Sequence, residues 1–381
     1  MGALRFLLAT CVVIGHSSPI FGLAMMDAGM AVKTFFVISG FYMALILSSK
    51  YHTEKGGYWL FISNRFLRIF PGYYAILLIS LAFYGLAAWK LHAPVDRLQY
   101  WVEALHLGCF SQLGLIALSQ FTIFGLDVTP LFDFSAARGF FWTGMLGADA
   151  VRAWRFNFLP HCWSISVELI FYLLAPFVCL LRTRTLLLII ASVLAAHGVA
   201  FVLLPAPLFD AMTYHFAPFQ FGFLILGVLC YRCFHEALLK REQLSYWWNI
   251  AGIVPFGLLI IFSQFVQTTA SGILCIVLAF FAIPLLFRLT RRSSVDKFIG
   301  DLSYPMYLTH VFAKWVILAA MGVSRKDAAV VPGWLLLVAT VALSVGIVLI
   351  VDYPIDKWRQ ARVARQTGRV PAATGATLTP S

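Results

Sequence analysis

Apolar runs of about twenty residues recur along the whole of this 381-residue chain, and that is the length a helix needs to cross the hydrocarbon core of a bilayer. Inside lipid every backbone N–H and C=O has to be satisfied within the protein, which leaves helices and closed barrels as spanning structures. A barrel would show short segments of alternating hydrophobicity; this sequence shows long unbroken runs. Composition agrees, with 61% of residues hydrophobic and 12% charged, against about a quarter charged in soluble domains. The pattern predicts an all-α, polytopic membrane bundle of about ten transmembrane helices. They are expected over residues 3–22, 29–48, 70–90, 162–181, 185–204, 214–233, 246–265, 268–288, 301–321 and 332–351.

An eleventh stretch, 103–125, is weaker because it carries Glu103, His106, Ser111, Gln112, Ser119 and Gln120. With the N-terminus cytoplasmic and 103–125 not crossing, most of the 28 Lys and Arg residues fall in cytoplasmic loops, as the positive-inside rule asks. A single crossing there would turn every later cationic loop outward. The expectation is a re-entrant or interfacial segment, or else a tight pair of crossings, covered by an outer loop at 126–160. The loops also account for the net charge of +12, which gives no reason to expect a nucleic-acid partner. The seven cysteines are scattered, and Cys230 and Cys233 lack a second ligand pair, so no metal is expected. The first run has no small-residue cleavage site and is expected to remain as a span. Residues 1–360 should form one integral membrane domain. Residues 361–381, ending in QTGRVPAATGATLTPS, should form a disordered cytoplasmic tail. No internal repeat and few Gly or Pro breaks argue against the broken-helix plan of secondary transporters.

Ionisable side chains inside spans are costly, which makes each a candidate for function. Arg5 and His16 lie eleven residues apart, about three helical turns, so they share one face roughly 16 Å apart. Counting along the spans places His16 about 18 Å, Glu168 about 20 Å and His310 about 13 Å above the inner surface. Three ionisable groups from three helices at similar depth point to an intramembrane reaction centre. Each also has a structural alternative: a core histidine bonded to a carbonyl for His16 or His310, and a helix or interfacial contact for Glu168. Lys314 is expected to snorkel outward, and Tyr304 and Tyr307 suit packing or the interface. Arg65 and Arg68, in NRFLRIFP, lie three apart on one helix face. They serve either as positive-inside anchors or as a guanidinium clamp for phosphates.

Five stretches occur in order: LRFLLATCVVIGHS, FFVISGF, NRFLRIFPGYY, WSISVELIFYLLAP and LSYPMYLTH. Together they resemble the motifs of the acyltransferase-3 family of integral membrane O-acyltransferases, over residues 2–352. In that comparison the Arg-x10-His pair is Arg5 and His16. The SGF turn is Ser39, Gly40 and Phe41, and the Arg-x-x-Arg pair is Arg65 and Arg68. The Trp-Ser-x-Ser-x-Glu pattern is Trp163, Ser164, Ser166 and Glu168. One departure is Gly2, at a position where the family usually has an acidic residue.

The resemblance implies a ten-helix bundle with cytoplasmic termini in a bacterial inner membrane. Its activity would transfer an acyl group, commonly acetyl from acetyl-CoA, to a hydroxyl of an envelope or secreted glycan. Partners would then be acyl-CoA, a carbohydrate acceptor and the bilayer, with no bound cofactor. Arg5, Arg65 and Arg68 are expected to hold the donor phosphates. His16 would act as general base or nucleophile, and Glu168 would orient the ring and stabilise the imidazolium. Ser39, Trp163, Ser166, Tyr304, Tyr307 and His310 are expected in support. Asp127, Asp133, Asp149, Arg138, Arg152, Arg155 and Asn157 are expected to meet sugar hydroxyls at the outer surface. A proton-coupled transporter or flippase of a glycan or lipid-linked intermediate is the competing function, since intramembrane charges suit it equally.

Overall fold

A computed structural model describes residues 1–50, 57–92, 97–144, 150–235, 246–265, 268–322 and 330–367. In chain order the helices are α1 (Gly2–Gly15), α2 (Ala28–Lys50), α3 (Gly57–Leu91), α4 (Arg97–His106), α5 (Phe110–Thr122), α6 (Trp163–Val178) and α7 (Thr183–Leu203). They continue with α8 (Ala206–His215), α9 (Ala217–Phe234), α10 (Tyr246–Phe262), α11 (Thr269–Thr290), α12 (Ser294–Ala320), α13 (Gly333–Ile347) and α14 (Tyr353–Thr367). Two compact units result, one of Met1–Ala75 with Leu226–Ser381, the other of Ile76–Ile225. The division falls within α3 and α9.

Among the described residues seven helical stretches are long and apolar enough to cross a membrane: Ala28–Ser48, Gly57–Lys90, Pro160–Val178, Thr183–Leu203, Ala206–Phe234, Thr269–Thr290 and Gly333–Arg362. The protein is therefore a multi-pass membrane protein. Three of the ten expected spans depart from the length and composition rule. Helix α1 has 14 residues, about 21 Å, because the chain leaves helical geometry at His16 and meets Pro19 soon after. The apolar helix Asn249–Phe265 is also short. Helix α12 has 27 residues but carries Asp296, Lys297, Asp301 and Lys314, and most of its length from Leu302 to Ala313 is buried in protein.

The 103–125 stretch takes in the end of the ten-residue α4 and the whole of the 13-residue α5. The break falls at Gly108, whose φ of +73° suits glycine. The all-α expectation also missed a three-stranded antiparallel sheet in the order β2-β1-β3. Its strands are β1 (Phe132–Ser135), β2 (Gly139–Trp142) and β3 (Val151–Arg152). In its register Asp133 faces Phe141 on one side and Arg152 on the other. Alternation over four residues was too short to read in the sequence. The expected tail boundary at 361 falls inside α14, which stays helical to Thr367; residues 368–381 lie outside the described residues.

In the first unit α1, α12 and α13 share a core that includes Ala9, Val13, Met306, Ala313 and Leu336. Small residues let helix backbones approach in membranes, where packing and polar contacts replace the hydrophobic drive. Gly2 and Gly300 do this between α1 and α12: a Cβ at Gly2 would fall 1.6 Å from the Asp296 carbonyl oxygen. Gly227 of α9 does it against α2, where a Cβ would lie 2.1 Å from the Val37 carbonyl oxygen and 2.9 Å from Gly40 Cα. Gly227→Ala is thus expected to lower thermal stability in detergent by at least the 1–3 kcal/mol, approximately, typical of overpacking. Gly346→Ala, where a Cβ meets nothing within 4 Å, should be neutral or slightly stabilising. Equal melting temperatures for the two variants would remove the α2–α9 contact as a constraint on the fold.

Candidate active site

Helix α12 holds α1 at both ends. At the N-terminus the Asp296 carboxylate accepts from the backbone N–H of Gly2 (2.7 Å) and Ala3 (2.9 Å), and from the Met1 amino group (2.6 Å). A carboxylate there is favoured by the helix dipole. Burial pushes the Asp296 pKa up, but these hydrogen bonds, with one from Thr290, outweigh it and hold the value at about 2. At the other end Lys314 Nζ donates to the His16 carbonyl at 2.5 Å, a cation against the negative end of the helix.

Between these contacts the two histidines meet. The His16 and His310 rings stack with centroids 4.9 Å apart and planes 15° apart. His310 is fully buried, and its Nδ1 lies 2.7 Å from the Tyr307 carbonyl oxygen. A carbonyl can only accept, so Nδ1 bears the proton and Nε2 the lone pair. The Tyr307 ring lies 5.8 Å from that of His310. Tyr304 donates to the Ile69 carbonyl at 2.8 Å and so ties α12 to α3 one residue past Arg68. Lys314, expected to reach for the outer surface, is instead turned to His16.

Near the start of α12 the charges differ. Arg68 pairs with Asp301 at 3.9 Å, with each side chain about a third exposed. The Arg65 guanidinium lies over the Phe61 ring, 5.6 Å from its centroid. The Tyr42 hydroxyl stands within electrostatic range of Arg5, Arg68, Asp296 and Asp301. Helix α14 reaches the turn just before Arg65: Arg359 donates to the Asn64 carbonyl at 3.4 Å, and Arg362 to the Ser63 hydroxyl. Tyr42, Asp301, Arg359 and Arg362 were not singled out from the sequence. The three-residue spacing of Asp301 to Tyr304, and of Arg359 to Arg362, was the available signal, since each pair shares a helix face.

The SGF element is not a turn. Ser39, Gly40 and Phe41 lie inside α2, where Gly40 meets Gly227 and the fully buried Phe41 packs edge-on against Tyr231 and Phe287.

Trp163, Ser166 and Glu168 belong to the second unit. Ser166 donates to Asp127 Oδ1 at 2.7 Å and accepts from the Gly125 N–H at 3.1 Å, while Asp127 Oδ2 accepts from the Ala217 N–H at 3.1 Å, at the first residue of α9. Burial raises the Asp127 pKa, and these bonds offset that rise only in part. Glu168 accepts from the Tyr172 hydroxyl at 2.7 Å, and Trp163 packs against Tyr214 and His215. Several residues expected at sugar hydroxyls have structural partners instead. Asp133 binds Thr143, the Gly144 N–H and Arg152, and the buried Asn157 donates to Thr129. Like Asp127, they bond to groups of their own unit. Arg138 and Arg155 are exposed, and Asp149 lies outside the described residues. Among the described residues no group of three or more His, Cys, Asp or Glu is placed to hold a metal ion.

No curated protein and no solved structure matches the chain. A family described as an acyltransferase domain matches residues 1–353. That match takes in both units and every motif from Arg5 to His310, and the chain belongs to the acyltransferase-3 family of membrane acyltransferases.

Proposed function

We propose that this protein transfers an acyl group, most simply acetyl, from cytoplasmic acyl-CoA to a hydroxyl of an envelope or secreted glycan. It works in the inner membrane of a bacterium, with both chain ends cytoplasmic and the α4–α5 segment re-entrant or interfacial. The observation that carries the proposal is the first unit's arrangement: cations at the start of α1 and in α3, and a stacked imidazole pair where α1 ends. Acyl-CoA is strongly anionic at one end and long and thin at the other. Arg5, Arg65 and Arg68 bind the phosphates, since a guanidinium offers oxyanions a bidentate fork. The loose, partly exposed Arg68–Asp301 pair is of the weak kind, so a phosphate dianion displaces Asp301 from it. The pantetheine arm then brings the thioester to His16, which acts as general base or nucleophile. The charge of Glu168 is required for transfer.

His16→Ala is expected to abolish acyl transfer without affecting membrane insertion. Mass spectrometry of envelope glycans from cells carrying wild type or variant checks this; equal acylation by a correctly inserted variant would sink the proposal. Glu168→Gln keeps the shape and removes the charge, so it should slow transfer severely while sparing donor affinity. A collapse of donor affinity in that variant would instead move Glu168 into the donor path.

Arg65→Lys and Arg68→Lys separate a phosphate clamp from topology anchors. Either cation satisfies the positive-inside rule, whereas only Arg presents the planar fork. Loss of one charge-assisted contact costs about 1.5–3 kcal/mol, or one to two orders of magnitude in affinity. Calorimetry of acetyl-CoA binding to the purified variants should show that loss, and wild-type affinity in both would leave the pair as anchors.

A further inference from the structure

A single imidazole cannot do both jobs that a two-step transfer demands. Once one ring nitrogen carries the acyl group, the other is only weakly basic and points away from the acyl carbon, so it is poorly placed to take the proton of the incoming hydroxyl. The protein holds a second imidazole against the first, with the His16 and His310 centroids 4.9 Å apart. The Nδ1 proton of His310 is committed to the Tyr307 carbonyl, which fixes the tautomer whose Nε2 is basic. Lys314 is turned to the His16 carbonyl rather than to either ring. Resting on the acyltransferase function proposed above, we infer that the two histidines divide the chemistry. His16 is the nucleophile that carries the acyl group, and His310 is the general base that activates the acceptor.

In the first step a ring nitrogen of His16 attacks the thioester carbonyl. The C–N bond forms and the C–S bond breaks. The departing thiolate takes the proton from the other ring nitrogen of His16, leaving neutral acyl-imidazole and CoA thiol. In the second step the acceptor hydroxyl gives its proton to His310 Nε2 as its oxygen attacks the acyl carbon. The C–N bond breaks, the His310 imidazolium returns that proton to the departing His16 ring, and both histidines end neutral. No oxidant, metal or further reactant enters the balance. A base in this position is worth about a hundredfold or more in rate.

His310→Asn tests the division of labour, because the Asn amide still donates to the Tyr307 carbonyl but offers no basic nitrogen. Purified protein is given acetyl-CoA with one of two acceptors. Methyl glucoside has a hydroxyl that needs a base, and hydroxylamine attacks an acyl-imidazole without one. The expected result is a selective loss: transfer to methyl glucoside falls a hundredfold or more, while transfer to hydroxylamine and the first burst of CoA release stay near wild type. Retained hydroxylamine turnover also shows that the variant is folded, and His310→Gln repeats the test with a different amide. Equal transfer to methyl glucoside by wild type and both variants would overturn the inference. So would a parallel fall with both acceptors in variants whose melting temperature is unchanged. A wild type that transfers to methyl glucoside but releases no CoA in its absence would overturn the two-step division and leave the acyltransferase proposal standing. A wild type that transfers acetyl to neither acceptor would count against that proposal itself.

Discussion

Helix α12 presents a carboxylate to the positive end of α1 and an ammonium to its negative end. Everything near the stacked histidines depends on that double hold. With 14 residues α1 is too short for the hydrocarbon core by the usual length rule, so its position is set by protein contacts rather than by lipid. Backbone contact at Gly2 and Gly300 fixes the separation of the two helices. Asp296 and Lys314, eighteen positions apart on α12, then fix their register. His16 stands where α1 ends and His310 one turn before Lys314, so the ring stack follows from the two end contacts.

The same helix explains how charges survive at depth. An ionisable group inside a membrane has to face protein or water. On α12 the apolar residues do not form one lipid-facing stripe, because the helix is buried on most sides against α1 and α13. Its polar side chains bond locally: Thr309 donates to the Pro305 carbonyl and meets the Ser344 hydroxyl of α13 at 3.2 Å. Such interhelical contacts are worth about 1 kcal/mol each. The Arg68–Asp301 pair, by contrast, is loose and partly exposed.

In the second unit a carboxylate again organises the backbone. Asp127 joins the hydroxyl of Ser166 in α6 to the first N–H of α9. This explains why a serine three residues into α6 belongs to a motif: it pins a loop to the helix that carries Glu168. Asp133 does similar work in the sheet. Polar residues that suggest ligand contacts when read singly are, in this unit, largely partners of one another.

The sequence by itself determined the solvent, the helical class and most of the spans, because a run of twenty apolar residues has one stable state in lipid. It also singled out Arg5, His16, Arg65, Arg68, Glu168 and His310, since charge within such a run is conspicuous. It could not show that α1 ends at Gly15, because apolarity continues past the point where the chain turns to bond Val331 through Ser18. Nor could it show that α12, expected as the span 301–321, is buried mostly against other helices. Asp301, Tyr42 and α14 stayed hidden for the same reason: each matters through a neighbour far away in the chain. Only the tertiary structure decided that His16 meets His310, because a stack between residues nearly three hundred positions apart is set by helix register, and register is a property of the packed pair.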